Sequence, residues 1–142
     1  MLFQRMNHLC LLLCVTGLFV GCGSDGPQVV PVKGVVSFKG TPMEKIAVVF
    51  SPENTGMIAT GLTDAKGEFS LQTNKPGDGA MVGSYKVAFK YVPDEVPVMP
   101  GMEGAKKVVS PIPEKYGDAS KSGKTATVDA DKSKNNITFD LE

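Results

Sequence analysis

The segment Gly83-Ser-Tyr-Lys-Val-Ala-Phe-Lys-Tyr-Val92 alternates between two kinds of side chain, with Tyr85, Val87, Phe89 and Tyr91 in one phase and Ser84, Lys86, Ala88 and Lys90 in the other. A period of two puts the phases on opposite faces of an extended strand, whereas a helix would scatter them around its circumference. The segment is therefore a half-buried antiparallel strand, and it needs partners of the same kind. The rest of the chain supplies them. Val30–Lys39, Ile46–Ser51, Ile58–Thr63, Glu68–Thr73, Ala126–Ala130 and Asn136–Leu141 are short, rich in β-branched or aromatic residues, and separated by Gly, Pro, Asn and Asp. No stretch of the domain sustains a helical period over three turns. About seven short strands at this spacing predict an all-β fold, an antiparallel β-sandwich.

Within this pattern Asp64-Ala-Lys-Gly67 reads as a tight turn joining Ile58–Thr63 to Glu68–Thr73 as a hairpin, with Gly67 free to take a positive φ. The last strand places Ile137, Phe139 and Leu141 inward. Between residues 93 and 124 runs a connection of about 30 residues with five prolines, far beyond the usual ~4–6 residues. Met99, Met102 and Tyr116 in it are candidate partner contacts, because long loops and adaptable methionines recur at binding surfaces. The competing reading is a loop that wraps a sandwich edge and blocks edge-to-edge pairing.

Ahead of the domain, Arg5 precedes an apolar run from Leu9 to Val20, and a polar Gly-Ser-Asp-Gly follows Cys22. The run is about half of the ~20 residues that a membrane span needs, and no Lys or Arg stops transfer after it, so the layout is that of a signal peptide. Its end, Leu18-Phe-Val-Gly-Cys22, resembles the bacterial lipobox, with Phe19 standing where leucine is usual. That resemblance implies cleavage after Gly21, attachment of a diacylglyceryl group to the Cys22 thiol, and acylation of the new amine, for example by palmitate. Two or three acyl chains anchor stably where a single one is marginal. The expected organisation is a lipoprotein signal peptide over 1–21, a tether over 22–29 and one domain over 30–142. The expected location is a bacterial membrane, periplasmic or surface-facing, and Gly23 rather than Asp after Cys22 favours the outer membrane.

Such processing changes the chemistry available. Residues 22–142 hold 14 lysines, no arginine and 15 Asp plus Glu, a balance that gives no electrostatic footprint for nucleic acid. His8, Cys10 and Cys14 leave with the leader, so Cys22 is the last cysteine and no histidine remains. The domain then has no disulfide, and it lacks the commonest general base, the commonest transition-metal ligand and any free thiol. At 121 residues it is long enough to build a core without staples.

Three motifs appear in order: Val32-Lys-Gly-Val-Val36, Thr63-Asp-Ala-Lys-Gly-Glu-Phe69 and Gly83-Ser-Tyr-Lys-Val87. Together they resemble the carboxypeptidase-regulatory-like domain, also called transthyretin-like or prealbumin-like, over residues 30–92. The segment Ile112–Val128 looks like one found in small bacterial lipoproteins carrying that domain. The resemblance implies an immunoglobulin-like or transthyretin-like sandwich and an envelope location but little chemistry. Hydrolases of the transthyretin-related kind rely on histidines and arginine, and regulatory domains sit beside zinc-bearing peptidases; neither set of groups is in residues 22–142.

The remaining candidates have bland readings that fit better. Asp64–Glu68 is too short for a calcium loop and suits a turn. Asp129 and Asp131 alternate onto one strand face, with Asp140 as a third carboxylate nearby, and read as solvated charge, since nothing in the sequence raises a carboxyl pKa. Tyr85, Phe89 and Tyr91 read as core rather than as an aromatic platform for a ligand. No catalytic residue, cofactor or metal site is assigned. The expectation is a non-catalytic, lipid-anchored envelope module with a structural or protein-interaction role, its partner an envelope protein or glycan. The alternative is a ligand-binding protein for a glycan, peptide or small molecule.

Overall fold

The computed structural model describes residues 28–94 and 109–142. Ten strands form in chain order: β1 Val29–Val30, β2 Lys33–Phe38, β3 Thr41–Pro42, β4 Ile46–Pro52, β5 Ala59–Leu62, β6 Glu68–Ser70, β7 Ala80–Met81, β8 Gly83–Tyr91, β9 Lys124–Val128 and β10 Asn136–Leu141. Two four-stranded sheets face one another. One has the order β5-β4-β8-β9, and the other has β10 on one side of β2 with β3 and β6 end to end along its other side. The two-residue strands β1 and β7 make a small third ladder. All seven expected strands are present, and β1, β3 and β7 are additions too short to carry a period.

β8 is the scaffold of its sheet because it pairs along its length, with β4 on one side and β9 on the other. Its Tyr85, Val87 and Phe89 are buried and Tyr91 half-buried, as the alternation requires. Ala88, in the opposite phase, is buried as well, since a methyl group beside Val49 is easily covered. Val36, Phe69, Phe139 and Leu141 meet the β4 and β8 side chains from the other sheet. Among the described residues every buried side-chain nitrogen and oxygen has a hydrogen-bond partner.

Two expectations about connectivity are corrected. The final strand is not antiparallel: β10 runs parallel to β2, from Asn136 opposite Lys33 to Leu141 opposite Phe38. Parallel neighbours need a long crossover, and here most of the domain lies between them. The stretch 58–73 is not one hairpin either. β5 pairs with β4 and β6 pairs with β2, so Asp64–Gly67 carries the chain from one sheet to the other. Only the Thr60–Gln72 bridge joins the two arms across the gap. The turn itself is as expected: Gly67 has φ 74°, and Asp64 Oδ1 accepts the amides of Lys66 and Glu68, each at 2.9 Å.

The connection between β2 and β3 is a two-residue hairpin loop with both residues left-handed, Lys39 at φ 51° and Gly40 at φ 78°. A side chain with a Cβ is disfavoured there, and Asn is the best tolerated non-glycine residue. Lys39→Asn is expected to stabilise the fold by about 1 kcal/mol, the lower end of the left-handed penalty. A higher urea midpoint at unchanged slope is the readout; an unchanged midpoint would show that the hairpin bears no such penalty.

Candidate functional site

Sequence reasoning named four residues, and the structure treats them differently. Cys22, Met99 and Met102 lie outside the described residues. Tyr116 is not a surface contact: it is 3% exposed, and its ring meets Phe89 edge-on with centroids 6.3 Å apart. The reason is local. A single 3₁₀ turn over Glu114–Gly117 drops Tyr116 into the open end of the sandwich, with Ile112 entering one turn earlier. The Tyr116 hydroxyl then donates to the Glu142 carbonyl at 2.8 Å and accepts the Glu142 amide at 3.0 Å. Ser122, also buried, donates to the Val87 carbonyl. The described part of the long connection therefore packs into the sandwich between the sheets.

That packing leaves a cleft of about 350 Å³ between the end of β8 and the 110–117 segment. Phe89, Tyr91 and Pro93 form one wall, and Ile112 and Pro113 form the other; Lys90 and Glu114 are the charged lining residues. Ser110 also lines it, but its hydroxyl is engaged with the backbone of Ile112. An apolar cleft of this size with two opposite charges suits an apolar group carrying a polar end. It offers no nucleophile paired with a base. Sequence reasoning missed the cleft, because nothing in the spacing of Ile112 and Pro113 shows that they meet β8.

The aspartates fulfil structural tasks. Asp129 and Asp131 are not on a strand face as expected. They follow β9 in the loop to β10, where the chain must turn between sheets. Asp129 Oδ1 accepts the Asp131 amide at 2.9 Å, and Asp131 caps a short 3₁₀ turn over Lys132–Lys134 through the Ser133 amide and hydroxyl. Asp140 lies at the far end of β10, with Oδ1 accepting from Ser37 Oγ at 2.7 Å and from the Gly40 amide at 3.2 Å. These bonds stabilise the charged form. The Asp131 carboxyl is held below its ordinary range chiefly by Ser133, that of Asp140 by Ser37, and that of Asp129 by the Asp131 amide. None of the three is poised to hold a proton near neutral pH. Tyr85 and Phe89 are core, as expected, and the Tyr85 hydroxyl donates to the Met81 carbonyl at 2.8 Å. Among the described residues no three His, Cys, Asp or Glu side chains gather in a way that could hold a metal ion.

Compared with protein-family models, with curated proteins and with solved structures, the chain matches none.

Proposed function

We propose that this chain is an exported bacterial lipoprotein whose domain is a non-catalytic envelope module of the carboxypeptidase-regulatory-like kind, held at a membrane through lipidated Cys22 and acting by structure or by protein interaction. The observation that carries the reading is the sequence Leu18-Phe-Val-Gly-Cys22 at the end of an apolar run, followed by a polar tether. The domain agrees with it physically. An exported chain with one acylated cysteine has no disulfide, and here two sheets close over a continuous aromatic and aliphatic core. The motif residues sit where a sandwich needs them: Val32–Val36 leads into and along β2, Thr63–Phe69 makes the crossing between sheets, and Gly83–Val87 opens β8. The Tyr85, Tyr116 and Ser122 hydroxyls bond backbone carbonyls, and the Asp129, Asp131 and Asp140 carboxylates accept from backbone amides and serine hydroxyls. Periplasmic or surface-facing placement follows from export, and Gly23 after Cys22 favours the outer membrane.

Cys22→Ala is expected to move the protein from the detergent-rich to the aqueous phase on temperature-induced phase separation and to abolish labelling by radioactive palmitate. Partition and labelling that match the parent protein would sink the lipoprotein reading. The loss follows from the chemistry, since ~0.8 kcal/mol per buried methylene disappears with the chains.

A second reading, a binding protein for a glycan, peptide or small molecule, is favoured by the Phe89–Ile112 cleft. Thermal-shift screening separates the two, because a ligand at 100 times its Kd adds about 2.7 kcal/mol of stability. No shift across a broad library leaves the module without a soluble ligand.

A further inference from the structure

The end of the sandwich at which the chain enters also carries exposed apolar side chains, and the ladders fix which end that is. Val29 and Val30 pair with Met81 and Ala80, directly before β8 begins. At that start of β8, Gly83 is opposite Val128 and Tyr85 is opposite Pro52, and the Glu53 amide donates to the Ser84 carbonyl at 3.0 Å. The β4–β5 loop, the β7–β8 link and the β9–β10 loop therefore converge beside the point where residue 28 enters. Met57 is 36% exposed, Ile58 58% and Val82 44%, and all three belong to this end. Apolar side chains scattered singly on a surface need no explanation. Val92 and Val109 are exposed at the opposite end, but the three here stand at the tips around the entry of a tether.

We infer that this end is a membrane-contacting surface, on which Met57, Ile58 and Val82 touch the bilayer that holds the lipidated Cys22. The inference rests on the lipoprotein reading and extends it from an anchor to an orientation. The tether supplies the occupant. From Cys22 to Gln28 is six residues, which at full extension span roughly 20 Å. The end of the domain nearest the tether cannot leave the headgroup region by more than that, and apolar tips so confined gain by entering the interface.

Charge at this end is near balance. Lys75, Lys132 and Lys134 lie there, and so do Glu53, Asp78, Asp129 and Asp131. The carboxylate of Asp78 is turned to the amides of Thr73, Asn74 and Lys75. Apolar contact, rather than attraction to anionic lipid, is what the surface offers. The competing orientation is face-down on the β5-β4-β8-β9 sheet, whose outer side carries Leu62, Lys86 and Lys90. The far end, with the Lys39–Gly40 turn, then serves as an aqueous reference.

The single acylated cysteine makes the test direct. Ile58→Cys, Val82→Cys, Leu62→Cys and Lys39→Cys are each expressed as the full chain, labelled with a thiol-reactive fluorophore and placed in vesicles of phosphatidylethanolamine and phosphatidylglycerol containing a quencher on the lipid tails. The parent chain reads the anchor separately, since it takes up label only if Cys22 is free. The expected result is an unlabelled parent, loss of most of the emission at positions 58 and 82, and full emission at 39 and 62. Adding Met57→Asp to Val82→Cys is expected to restore part of the emission at 82. Four results overturn the inference: quenching at 62 but not at 58, which means face-down docking; equal quenching at all four sites; none at any site on an unlabelled parent, which means a free-standing domain; or a labelled parent, which removes the anchor itself.

Discussion

Phe139→Ala lowers the free energy of unfolding by about 3–5 kcal/mol, the range for emptying a large aromatic from a core. The size follows from where the ring stands. Phe139 is 5% exposed on β10, and it meets Phe89 edge-on at 5.0 Å, Phe50 at 6.1 Å and Phe69 at 6.4 Å between centroids. Phe89 and Phe50 belong to the facing sheet, and Phe69 is on its own. Truncation thus removes one hub of contact between the two sheets along with its transfer free energy, and aromatic pairs add ~0.5–1.5 kcal/mol each beyond area. Against a total of roughly 5–15 kcal/mol for a domain, the variant is marginal or unfolded at ordinary temperature. Urea unfolding gives the number. Phe139→Leu, which keeps most of the volume, should lose much less, and Phe38→Ala, at a half-buried ring, should fall between. A loss below about 1.5 kcal/mol for Phe139→Ala, the cost of a volume-conserving swap, would mean that the sheets do not meet at this ring.

The strands themselves were legible because each carries its own period. Val32-x-Gly-x-Val, Ile46-x-Val-x-Phe and Tyr85-x-Val-x-Phe put alternate residues into the core without reference to anything distant. Pairing was less legible, since it depends on contacts far apart in the chain. The alternation of Ile137, Phe139 and Leu141 is the same whether β10 runs parallel or antiparallel to its neighbour, so the parallel ladder with β2 could not be read from it. The Asp64–Gly67 turn was recognised by its chemistry, but a turn of this kind can either close a hairpin or hand the chain to another sheet. Tyr116 was misread for a related reason: a Pro-rich connection has no period, so one aromatic dropped from a 3₁₀ turn leaves no signature. Cys22 shows the reverse case. Its proposed lipidation rests on a linear resemblance in Leu18–Cys22, which lies outside the described residues.

Gly34→Ala should be as destructive as Phe139→Ala although it adds a single methyl group. Gly34 is the second residue of β2, opposite Ile137 of β10 on one side and Phe69 of β6 on the other. A Cβ there would fall far inside contact distance of the Ile137 carbonyl oxygen and 2.7 Å from two carbons of the Phe69 ring. The ring can shift, but the carbonyl belongs to the ladder that holds the last strand in place. Overpacking a core typically costs ~1–3 kcal/mol, and a clash with a hydrogen-bonded backbone belongs at or above the top of that range. Two comparisons isolate the cause. Gly77 has φ 73° and open space around its Cβ position, so Gly77→Ala carries only the left-handed penalty of about 1 kcal/mol. Combining Gly34→Ala with Phe69→Leu relieves the ring contact but not the carbonyl one, and the double variant should recover little of the lost stability by urea midpoint. Tolerance of alanine at 34 would place Ile137 elsewhere, and with it the parallel register of β10, because the atom nearest to that position is the Ile137 carbonyl oxygen.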